Sequence, residues 1–144
     1  LSFDLQLIPE LMEKTANLLA LAPDTAVALC HAGSPHDRSG DGLTRWAGEL
    51  RALSNLPQVR CKLSGLSMFN HNWEPEDFRR IVETCLDQFG PNRVMFGSNF
   101  PVDKLYSNYA TLAQTYRNLV PREMHQAVFN DTAADFYSIF PVHV

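Results

Sequence analysis

Apolar residues in this chain switch between two spacings four times, and that alternation constrains the fold more than any other feature. Residues 1–7 (LSFDLQL) alternate and read as a strand with Asp4 and Gln6 on one face. Pro9 suits the first helical position, and Ile8, Leu11, Met12 and Leu19 mark one side of a helix ending near Ala22 and Pro23. Residues 25–30 (TAVALC) are nearly continuous in apolar character, the pattern of a strand covered on both faces. A polar loop with three glycines, residues 31–43, leads to a helix that the pattern caps at Thr44, with Trp46, Leu50 and Leu53 inward. Residues 59–63 (VRCKL) start a third strand. The helix after Pro75 is the clearest element, because Phe78, Ile81, Val82, Cys85, Leu86 and Phe89 recur at three and four residues. Residues 93–97 (RVMFG) form the fourth strand, which Pro101 bounds. Helices over roughly residues 106–119, 121–129 and 132–137 complete the chain.

Four strand–helix units imply right-handed crossovers and a parallel sheet, an α/β fold. Such a sheet is either a small doubly wound domain or half of a (β/α)8 barrel. Loop placement favours the barrel, since the long polar loops follow strands while the returns from helix to strand are short. A chain of 144 residues supplies one ordinary core, so residues 1–144 are expected to form a single domain.

Composition excludes more than it identifies. A formal charge of −4, with no basic run, argues against nucleic acid and against an anionic membrane surface. No stretch is long and apolar enough to span a bilayer. Cys30, Cys61 and Cys85 are odd in number and lie among apolar neighbours, which reads as reduced thiols in a cytoplasmic protein.

Chemistry is expected at the strand ends, where polar side chains of a parallel barrel converge on one pocket. Asp4 and Gln6 lie on the first strand, His31 follows the second, Lys62 and Ser64 lie at the third, and Ser98 and Asn99 at the fourth. A histidine there serves as a base or as a metal ligand. An amide such as Asn99 orients a substrate carbonyl by donating hydrogen bonds, and cannot be a base because it does not titrate. Asp103 is the nearest carboxylate to it. The tyrosines at 106, 109 and 116 have helical spacing and read as core. His36 and His71 read as exposed loop residues. His125 and His143 are not site candidates.

Several segments together resemble one family. His31-Ala32-Gly33-Ser34-Pro35 is similar to the strand-end "HxGxP" element of the amidohydrolase-2 enzymes, a lactonase-like group of the amidohydrolase superfamily. Residues 61–66 (CKLSGL) resemble its "KLSGL" strand, and residues 89–102 (FGPNRVMFGSNFPV) its "FGpdRlmfGSdwPv" final strand. Asn130-Asp131-Thr132-Ala133 through Phe136-Tyr137 are similar to its closing "NAxxfY" helix. The resemblance implies the C-terminal half of a TIM barrel, four parallel βα units plus extra C-terminal helices, with the N-terminal half missing.

It also implies a hydrolase that opens a small carboxylated or sugar-derived lactone with activated water, the half-barrel by itself being expected to be inactive. His31, Asn99 and Asp103 would be catalytic, and Asp4, Gln6, Lys62, Ser64 and Ser98 would bind substrate. The family's divalent metal, zinc first, would take His31 as a ligand. However, Asn99 stands where the family often carries a metal-binding Asp, which leaves a metal-independent site as the alternative. The alternatives are a metal-dependent decarboxylase of the same group and a non-catalytic half-barrel. The expected partners are a small-molecule substrate and either a second copy or the missing N-terminal half.

Overall fold

A computed structural model describes residues 2–139 of the protein. Leu1 and His143, mentioned above, lie outside the described residues. Strands β1 (Ser2–Leu5), β2 (Ala26–Leu29), β3 (Val59–Leu63) and β4 (Val94–Phe96) pair in parallel in the order β1-β2-β3-β4. Helices α1 (Met12–Leu19), α2 (Gly40–Ser54), α3 (Glu76–Phe89) and α4 (Tyr109–Leu119) follow them in turn, and α5 (Thr132–Phe136) closes the described chain. The four-unit βα order expected from the sequence is therefore the observed one.

Register separates the two faces of the sheet. Leu5, Leu29, Cys61 and Val94 pair along one face, and Asp4, Ala28 and Arg60 along the other. The first face meets the helices. Val27, Leu29, Val59, Cys61, Leu63 and Val94 are buried there against Trp46, Leu50 and Leu53 of α2 and Phe78, Ile81, Val82 and Cys85 of α3. All six apolar residues of the α3 stripe are buried. Cys85 aside, each stabilises the fold by roughly 1.5–3 kcal/mol relative to exposure. On the second face Phe136 of α5 packs with Ala28 and Met95.

Several boundaries differ from the sequence reading. A 3₁₀ turn at Arg122–Met124 and a π-helix at Ala127–Asp131 stand in place of the helix expected over 121–129, and α1 ends at Leu19. Two other differences have a local reason. Ser39, not Thr44, caps α2, its Oγ accepting the Gly42 N–H at 3.0 Å. Thr44 lies inside the helix and donates to the Gly40 carbonyl at 2.7 Å. Helix α4 begins at Tyr109, because a 3₁₀ turn at Val102–Leu105 occupies the chain before it and Asn108 caps it through the Thr111 N–H at 2.9 Å. As a result the tyrosine stripe is not a uniform core face: Tyr116 is buried while Tyr109 is 54% exposed.

The Cys61 and Cys85 thiols lie 3.7 Å apart and fully buried between β3 and α3. Burial pushes the Cys85 thiol well above its usual range, and Cys30, half-buried, is also pushed up by burial. Thiolates are the reactive species. A chromogenic disulfide reagent is expected to modify Cys30 first and slowly, and the other two only as the chain unfolds. Equal rates for all three would show that this layer opens readily.

A polar tie joins the last described segment to the first strand. The Tyr137 hydroxyl donates to Asp4 Oδ1 at 2.6 Å, and Lys62 Nζ donates to Asp4 Oδ2 at 3.0 Å while lying 5.1 Å from the Tyr137 ring centre. Burial works against both charges. The hydrogen bonds outweigh it, so Asp4 is held below its ordinary 3.8 and Lys62 above its ordinary 10.5. The contribution of Asp4 is therefore present above pH 3.8 and lost as pH falls, and that of Lys62 is present below pH 10.5 and lost as pH rises. Tyr137→Phe is expected to cost about 1 kcal/mol, the usual net value of one such bond. Urea unfolding at neutral pH measures it, and no change would show the tie to be idle.

Candidate active site

At the end of β2 the backbone enters an unusual turn. His31, Ala32, Gly33 and Ser34 all have positive φ, at 56°, 50°, 68° and 52°. The turn closes on itself through Ser34 N–H to the His31 carbonyl at 2.8 Å. Left-handed geometry costs L-residues roughly 1–2 kcal/mol each, so surrounding contacts must hold it. Ser64, at the end of β3, supplies two of them: its Oγ accepts the His31 N–H at 3.3 Å and lies 2.9 Å from His31 Nδ1. Gly65 lies against the same ring, and a Cβ there would come within 2.5 Å of His31 Nδ1. That close approach explains the glycine.

The turn after β4 presents the second pair. Asn99, with φ of 55°, donates from Nδ2 to Asp103 Oδ1 at 2.8 Å and to Met68 Sδ at 3.3 Å. Its amide nitrogen is thus engaged on the protein side. The sequence suggested Asn99 as a donor to substrate; the geometry leaves its Oδ1, an acceptor. Asp103 is completely buried, and its Oδ2 has no hydrogen-bond partner among the described residues. The Tyr116 hydroxyl, Ser67 Oγ and Arg38 Nε are likewise buried and unpaired. Met68 links the two halves of the site, since it touches Asn99 through sulfur and would meet a Cβ on Gly65 with its methyl group.

His31 feels several fields. Burial lowers its proton affinity below the usual value of 6.5, against the Ser64 hydrogen bond and the Asp103 charge, and the Lys62 charge pushes the same way as burial. The imidazole is therefore uncharged at neutral pH, the form that accepts a proton or binds a metal. Lys62 is engaged with Asp4 on the open face of the sheet, Gln6 is exposed near the end of β1, and Ser98 Oγ accepts the Phe100 N–H at 3.3 Å. So the structure brings His31 together with Ser64, Asn99 with Asp103, and Lys62 with Asp4. Among the described residues neither Gln6 nor Ser98 makes a side-chain hydrogen bond to a member of these pairs. A cavity of about 140 Å³ lies on the flank, between Pro9, Glu10, His36, Asp37, Arg45 and Trp46, rather than over His31.

The sequence and fold of the chain are matched in known proteins. A family model described as amidohydrolase covers residues 1–139. The chain belongs to the amidohydrolase family. The amidohydrolase chain is 38% identical over 142 residues to the uncharacterized protein y4mH of Sinorhizobium fredii, covering 96% of this chain and 48% of that protein. It is 35% identical over 127 residues to an L-fucono-1,5-lactonase of Burkholderia multivorans, covering 78% and 43%. Among solved structures, an amidohydrolase from Burkholderia multivorans with bound zinc superposes with a TM-score of 0.86 at 31% identity, over 95% of this chain and 52% of that one. The chain thus spans about half the length of the relatives it matches, and its four βα units correspond to half of a (β/α)8 barrel.

The neighbour's zinc prompts a test of fit. A catalytic zinc takes three protein ligands. Among the described residues no group of three or more His, Cys, Asp or Glu side chains is placed to hold a metal. His31 offers one nitrogen, and Asn99 an amide oxygen, a poor ligand beside a carboxylate. This donor set does not hold the ion by itself. Also among the described residues, no helix is long and apolar enough to cross a membrane.

Sequence reasoning missed Tyr137 as the partner of Asp4, a contact across 133 positions that no local signal announces. It also missed Trp46 as a polar contact of the His31 turn, its indole N–H donating to the Ala32 carbonyl at 2.7 Å. The helical spacing showed only that Trp46 faces inward.

Proposed function

We propose that this amidohydrolase opens a small lactone, carboxylated or sugar-derived, by attack of water on the ring carbonyl. The observation that carries the reading is the uncharged His31 held on Ser64 at a strand end, near the Asn99–Asp103 pair. With its proton on Nδ1 donated to Ser64, the imidazole keeps a lone pair on Nε2 and takes a proton from water as a general base. Asn99 Oδ1 accepts the second hydrogen of that water, and buried Asp103 fixes the amide in this orientation. Hydroxide adds to the carbonyl carbon, and the Lys62 charge stabilises the oxyanion. Collapse breaks the ring C–O bond, and the imidazolium returns its proton to the leaving oxygen, giving a hydroxy acid. The lactonase names of two relatives, at 35% and 27% identity, support this substrate class.

The test is ring opening by the native protein on a panel of sugar-derived and carboxylated lactones, followed as acid release at constant pH. Turnover of at least one class is expected, with no carbon dioxide released from aromatic or enol acids. Carbon dioxide release without ring opening would replace this reading with a decarboxylase.

The sheet also favours assembly. Within the described residues β1 pairs only with β2 and β4 only with β3, and Phe3 on β1 is 55% exposed. Open edges invite pairing. We propose that the chain completes its barrel with a second copy or a complementary half. Sedimentation as a monodisperse monomer would overturn this.

A further inference from the structure

We propose that Trp46 is a positioning residue for His31, acting through the Ala32 carbonyl; the idea rests on His31 being the base described above. Three of the four residues in the left-handed turn carry a Cβ, so local preference does not maintain it. Its internal bond, Ser34 N–H to His31 O, closes the turn but does not fix it to the protein. Ser64 fixes it to β3, and Trp46 fixes it to the helical layer. The indole is buried, as is Ala32, so the 2.7 Å bond is shielded from water. Beneath the same turn Gly33 is pressed on α1, where an added Cβ would meet the Met12 methyl.

Deleting the indole N–H would leave the Ala32 carbonyl buried without a donor. The adjoining peptide would then rotate to recover a partner, and the run would relax toward right-handed geometry. His31 leads that run, so its ring would leave Ser64. Trp46 lies fourteen residues from Ala32 on another element, and this bond is its polar link to the turn.

Two readouts at one fixed pH test the proposal: imidazole nitrogen shifts and amide hydrogen exchange. In the native sequence His31 is expected to show one ring tautomer and a slowly exchanging backbone N–H. Trp46→Phe keeps an apolar ring without the donor. It should give averaged ring shifts and at least tenfold faster exchange at His31, with the exchange of Val27 and Leu50 within about threefold of native. Unchanged His31 shifts and exchange in Trp46→Phe would overturn the proposal. So would equal acceleration at Val27 and Leu50, the mark of a merely structural role.

Should Trp46→Phe fail to fold, a benzothienylalanine at this position keeps the indole shape without the N–H, and its result is read by the same criteria. In the turnover assay kcat should fall with KM unchanged. The magnetic resonance result does not depend on turnover. A protein that lacks lactonase activity yet shows the His31 response would sink the proposed reaction and leave the positioning role standing.

Discussion

Asn99→Asp is expected to turn an amide–carboxylate contact into a pair of acids that shares one proton. The two side chains already lie 2.8 Å apart, with Asp103 fully buried. An amide donates across that gap, whereas a second carboxylate has nothing to donate unless protonated. Two like charges about 4 Å apart repel by about 4 kcal/mol at the effective dielectric of a protein surface, so the pair cannot ionise fully. The folded variant then binds a proton more tightly than the unfolded chain, whose aspartates titrate near 3.9. The sign follows: the folded variant is favoured at low pH and loses stability as pH rises through the range where the pair must give up its proton. Urea unfolding from pH 4 to pH 8 should show a widening deficit that approaches about 4 kcal/mol against the native protein. A deficit independent of pH would mean that the new carboxylate swings away from Asp103, and that the amide orientation assigned to Asn99 is not enforced.

Particular residues show how far the sequence could be read. The alternation of apolar spacing is a local property, and it located every strand and the α3 stripe, all of whose members are buried. The strand ends were legible for the same reason, and His31 and Ser64 do meet there. Side-chain orientation was not legible. Whether Asn99 turns its nitrogen or its oxygen toward the pocket depends on Asp103, which a 3₁₀ turn folds back beneath it. No spacing rule marks that turn, at Val102–Leu105, in the segment before the helix expected from residue 106. The left-handed run gave one cue, Gly33, because Ala32 and Ser34 have no preference for such geometry and hold it through tertiary contacts. The Asp4–Lys62–Tyr137 tie draws together three distant segments, so no local signal announced it.

Gly65→Ala should reduce kcat/KM about 100-fold, the loss that follows when a catalytic group is misplaced by about 1 Å. Two effects combine at this position. Its φ of 61° and ψ of 17° lie in the left-handed region, where a Cβ costs roughly 1–2 kcal/mol. The same Cβ would come within 2.5 Å of His31 Nδ1 and 2.7 Å of the Met68 methyl group. The methyl is the free end of a flexible chain and can move. The His31 ring cannot move without leaving Ser64, which holds it at 2.9 Å. Catalysis should therefore fall much further than stability, a separation that unfolding and turnover measured on the same sample would reveal. Gly48→Ala is the matched control. It lies in the interior of α2 with open space around its would-be Cβ, and there alanine should stabilise by up to about 1 kcal/mol and leave turnover alone. If Gly65→Ala lost stability but kept full turnover, the contact between this glycine and His31 would be structural, and the base would have to be sought elsewhere.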